Sequence, residues 1–81
     1  MRHEILKIKG RLAESKRKRN ELSLEAKGLL AVVRNHLDPF EPDVTKLDIC
    51  SSMACLNRLN EVQQRLRDLD SQISLMEQAL G

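Results

Sequence analysis

Leu59-Asn60-Glu61-Val62-Gln63-Gln64-Arg65-Leu66-Arg67-Asp68-Leu69-Asp70-Ser71-Gln72-Ile73-Ser74-Leu75-Met76-Glu77-Gln78-Ala79-Leu80 is the stretch that decides the fold. Leu59, Val62, Leu66, Leu69, Ile73, Met76 and Leu80 recur at alternating intervals of three and four residues. An average spacing of ~3.5 residues draws one narrow apolar seam along a helix. The residues between them are mostly charged or amide side chains suited to water. Such a helix needs a second seam to cover its own.

The first part of the chain carries that second seam. Ile5, Ile8, Leu12, Ser15, Arg19, Leu22, Ala26, Leu29, Val33 and His36 keep the same intervals. Two of the mid-helix positions, Ser15 and Arg19, are polar. A polar seam position either fixes register and oligomer state or snorkels to water, and an acid such as Asp68 or Asp70 from a partner chain would match Arg19. Gly10 and Gly28 weaken the helix by roughly 1 kcal/mol each relative to Ala, but no proline precedes Pro39.

The break falls at Asp38-Pro39-Phe40-Glu41-Pro42-Asp43. Proline disfavours helical geometry in the residue before it. Asp43 or Thr45 can cap the second helix, with Thr45 and Asp48 resembling a capping box. The sequence therefore predicts a single all-α unit over 1–81: helix 3–37, turn 38–44, helix 45–80, each helix about 50 Å long. A short turn folds the helices back as an antiparallel coiled-coil hairpin. Charge agrees: residues 1–36 hold ten Lys/Arg against four Asp/Glu, residues 37–81 four against eight. A basic helix beside an acidic one favours pairing between them.

Two registers satisfy the seams. The first, which needs only a short connection and is expected here, sets Leu22 beside Leu59, Leu12 beside Leu69, Ile5 beside Met76 and Met1 beside Leu80. The second, shifted by a heptad, sets Leu29 beside Leu59 and Leu22 beside Leu66, and needs a longer loop. Outside the seam, apolar residues crowd the turn end: Leu30, Val32, Leu37, Phe40, Ile49, Met53 and Leu56. A two-helix hairpin leaves them partly exposed. They are the candidate oligomer interface, most simply for a twofold dimer forming a four-helix bundle.

Composition narrows the function. One aromatic residue, Phe40, and no alternating pattern argue against strands. The longest apolar run, Leu29 to Val33, is far short of the ~20 residues a bilayer needs, so no membrane role is expected and a cytoplasmic setting is the default. Cys50 and Cys55 on one helix point about 140° apart, which disfavours a bridge between them. With His36 and His3 they complete no ligand set, so core packing is the expected role of both cysteines and no metal or cofactor is implied. His36 near Asp38 is the only local acid–base pair. With no phosphate loop and no nucleophile beside a base, an enzyme is not expected.

Lys16-Arg17-Lys18-Arg19 is the sharpest charge feature. Lys16, Arg17 and Lys18 are candidate phosphate contacts. Yet four consecutive helical residues span the whole circumference, Glu14, Glu21 and Glu25 dilute the field, and no aromatic offers stacking. Pairing with the acidic second helix is the expected role. From Ser15 to Leu22 the chain resembles the long antiparallel arm of seryl-transfer-RNA synthetases, a likeness confined to those residues that carries no function over. The reading is a non-enzymatic assembly or adaptor protein acting by coiled-coil self-association. The alternatives are a nucleic-acid-binding accessory protein using the basic helix, and a regulatory subunit docking on a larger helical partner.

Overall fold

The computed structural model describes residues 2–81 and contains two long helices, α1 (Arg2–His36) and α2 (Ile49–Leu80). A one-turn 3-10 helix, Val44–Lys46, lies between them, and no strand occurs among the described residues. The helices run antiparallel as a hairpin measuring 64 × 17 × 14 Å. α1 passes unbroken through Gly10 and Gly28, both of which face open space.

The seam is the interface between the helices. On α1, Ile8, Leu12, Ser15, Arg19, Leu22, Ala26, Leu29, Val33 and His36 are all half-buried. On α2, Val62 is fully buried, Leu69 nearly so, and Leu59, Leu66, Ile73, Met76 and Leu80 are half-buried. The α2 seam also extends a heptad further toward the turn than its apolar residues indicate, through half-buried Cys55 and buried Ser52. The Ser52 hydroxyl donates to the Asp48 carbonyl at 2.9 Å, so its burial leaves no polar atom stranded. Ile5 departs from expectation: it is 47 % exposed.

That exposure follows from the register. The Arg19 guanidinium grips Asp70 with two nitrogens, Nε on Oδ1 and Nη2 on Oδ2. In the expected short-loop register Arg19 would sit level with Val62, eight residues or about 12 Å from Asp70. In the heptad-shifted register it sits level with Leu69, next door. Leu22 with Arg65, and Ala26 and Leu30 with Leu56 and Leu59, share surface hollows that fit the same alignment. The shifted register is the one adopted, with Leu29 level with Leu59 and Leu22 with Leu66. It gives Val33 and His36 the Cys55 and Ser52 layers to cover, and it carries Ile5 past the end of α2. The pairing of Met1 with Leu80 lies outside the described residues.

The longer loop this needs comes from a later start to α2, at Ile49 rather than residue 45. Four carboxylates in the connection take up its free backbone N–H groups. Asp38 accepts from Phe40 N–H (2.9 Å) and Glu41 from Asp43 N–H (3.1 Å). Asp43 accepts from both the amide and the hydroxyl of Thr45, capping the 3-10 turn instead of α2. Leu47 then turns extended and ends that turn. Asp48 is the cap of α2, accepting from Ser51 N–H at 3.0 Å.

Candidate interaction surface

Two flanks border the seam, and they differ in chemistry. One contains Glu25 and Arg58, which form a two-point fork with N–O distances of 2.5 and 2.9 Å. Arg58 also reaches Glu61 at 3.2 Å. These bonds hold the Glu25 carboxyl below its usual range and push the Arg58 guanidinium up. Lys18, Glu21 and Arg65 continue this flank. It is charged along most of its length.

The other flank changes character halfway. At the free-end half Lys16 meets Glu77 at 3.2 Å, beside the Arg19–Asp70 pair. At the turn half no flanking position is charged: Ser23, Leu30 and Leu37 on α1 run beside Ile49, Leu56 and Gln63 on α2, each a heptad apart on its helix. Ala26, Leu30, Leu56, Leu59, Asn60, Gln63 and Leu66 line an open hollow there. Leu30, Ile49, Met53 and Leu56 are exposed, and Leu37 is half-buried. The result is an uncharged apolar strip with nothing over it in the single chain.

The turn-end residues named from sequence thus divide. Leu30, Leu37, Ile49, Met53 and Leu56 share the strip. Val32 stands seven residues beyond Glu25, on the charged flank, and Phe40 is 90 % exposed on the connection. Alternate sides of one helix cannot join a single patch, so Val32 leaves it.

The basic run is largely engaged within the chain. Lys16 meets Glu77, Arg17 bridges Glu14 and Glu21, and Arg19 holds Asp70. The acid that matches Arg19 therefore belongs to the same chain rather than a partner. Arg17 also keeps the Glu14 carboxyl below its ordinary value. Lys18 makes no ion pair among the described residues, and it shares surface hollows with Arg65 as well as with the acids Glu21, Glu25 and Asp68.

Cys55 packs in the seam, but Cys50 is exposed, which corrects the expectation of core packing for both. Five residues of helix separate them by more than a third of a turn, so one faces in and the other out. His36 lies beside Asp48, Nδ1 to Oδ2 3.9 Å, rather than forming a pair with Asp38. The Asp48 carboxyl is held below its usual value chiefly by the Ser51 hydrogen bonds, with His36 a smaller contribution. Among the described residues no cluster of His, Cys, Asp or Glu could hold a metal, and no helix is long and apolar enough to cross a membrane. Comparisons with protein-family models, with curated proteins and with solved structures find no match to this chain.

The sequence reading missed the Glu25–Arg58–Glu61 cluster and the buried Ser52. The signal for the first was present: Glu25 and Arg58 each adjoin the seam on the same side once the shifted register is adopted.

Proposed function

We propose that this chain is a non-enzymatic assembly module, a helical hairpin that associates with itself and so serves as a structural or adaptor element. The observation that carries this reading is the uncharged strip of Leu30, Ile49, Met53 and Leu56, exposed on a rod whose only buried large apolar side chains, among the described residues, are Val62 and Leu69. Contiguous apolar surface of this kind is what association removes from water. The charged flank opposite, where Glu25 and Arg58 pair while Lys18 and Arg65 stand in water, keeps association to one side.

Light scattering on the wild type and on Leu56→Lys tests this. The wild type is expected to have twice the 9.3 kDa chain mass. Leu56→Lys, at a side chain the hairpin leaves exposed, is expected to weaken association at least about tenfold while circular dichroism stays helical. A wild type that stays at the single-chain mass throughout would overturn the proposal.

A further inference from the structure

We infer that the occupant of the strip is a second copy of this chain lying alongside the first with both turns at the same end, so that the twofold axis runs parallel to the rod. This rests on the self-association proposed above and adds its geometry.

The two ladders of flank residues match level by level. On α1 the flanking positions read Lys9, Lys16, Ser23, Leu30, Leu37 from free end to turn. On α2, within two residues or about 3 Å of the same heights, they read Glu77, Asp70, Gln63, Leu56, Ile49. Base stands level with acid, polar with polar, and apolar with apolar. The Lys16–Glu77 contact at 3.2 Å runs diagonally from one rung to the next and puts the two ladders within reach of each other at the charged end of one chain. A twofold axis parallel to the rod sets α1 of one copy against α2 of the other at equal height. Every level of the ladder then meets its complement again between the copies, and all neighbouring helices are antiparallel.

The other face-to-face arrangement, with the axis across the rod, sets each helix against its own copy reversed. At full overlap Leu30 would then lie near the partner's Lys9 and Leu56 between the partner's Asp70 and Glu77. Charged groups lose water there without gaining an opposite charge, which is costly. Sliding the copies until only the turn ends overlap avoids that conflict. It also leaves the Lys9, Lys16, Asp70 and Glu77 half of each ladder without a partner on the other copy. The charge pattern favours the first arrangement over both.

Pulsed electron spin resonance on a spin label near the free end separates these. The chain is prepared as Gln78→Cys in a Cys50→Ser, Cys55→Ala background; Gln78 is exposed on α2. Helicity and mass are first matched to the wild type. With the turns together, the two labels fall within about 40 Å, since helices in a bundle lie about 10 Å apart. With the turns opposed or only the turn ends overlapping, the labels stand near or beyond the 64 Å length of the rod. A dimer with that long distance overturns the arrangement and leaves self-association standing. A wild type at the single-chain mass overturns both.

Discussion

The free-end half and the turn half of the rod use one heptad repeat to different ends. Toward the free ends the seam is bordered on both sides by charges, and Lys16–Glu77 and Arg19–Asp70 close one flank within the chain. Toward the turn the corresponding positions are Leu30, Leu37, Ile49 and Leu56, and that flank stays open. A narrow seam with matched charges is complete as two helices. A seam widened by leucine and isoleucine leaves apolar surface in water, and that surface is what the proposed second copy would cover. The difference resides in a few flank residues, because the repeat itself is continuous from end to end.

Cutting the shared seam gives the largest effect. Leu69→Ala removes a nearly buried side chain level with Arg19, and the hairpin is expected to lose about 3 kcal/mol. Thermal melting checks this, with Leu30→Ala at the exposed strip as the comparison, both in a Leu56→Lys chain diluted until light scattering gives the single-chain mass. There Leu30→Ala is expected to cost less than Leu69→Ala. Equal losses would mean that the two halves are equally packed in the single chain.

A smaller effect comes from the charged flank. The Glu25 carboxyl titrates below its ordinary value because Arg58 hydrogen-bonds it. Its contribution to stability is therefore complete above the unfolded value, near 4.5, and is lost as pH falls through the lower folded value. Glu14, Asp43 and Asp48 are shifted in the same direction. Melting temperature should decline between about pH 5 and pH 3. Glu25→Gln should make that decline shallower. An unchanged acid limb in Glu25→Gln would remove the fork from the account.

Much of this was legible in the chain. Two seams and one break at Pro39 follow from spacing and from proline chemistry, and every half-buried α1 seam position was readable. What misled was chemistry that hides phase. Ser52 and Cys55 continue the α2 seam, but neither is a large apolar residue, so the repeat looked as if it began at Leu59. That shortened the α2 seam by one heptad of partners, and the shorter connection then favoured the wrong register. Asp43 and Asp48 are equally good caps by composition. Only the extended backbone at Leu47 decides that the first serves a single turn and the second starts the helix. Leu30 and Val32, two residues apart, read as one cluster until a helix sends them to opposite flanks.

The open flank is tested most directly by the melting temperature of the wild type as a function of protein concentration. If a second copy covers the strip, unfolding is coupled to dissociation and the midpoint rises steadily as the chain is concentrated. A midpoint that does not move with concentration would mean that the single hairpin is already complete, and would contradict the account.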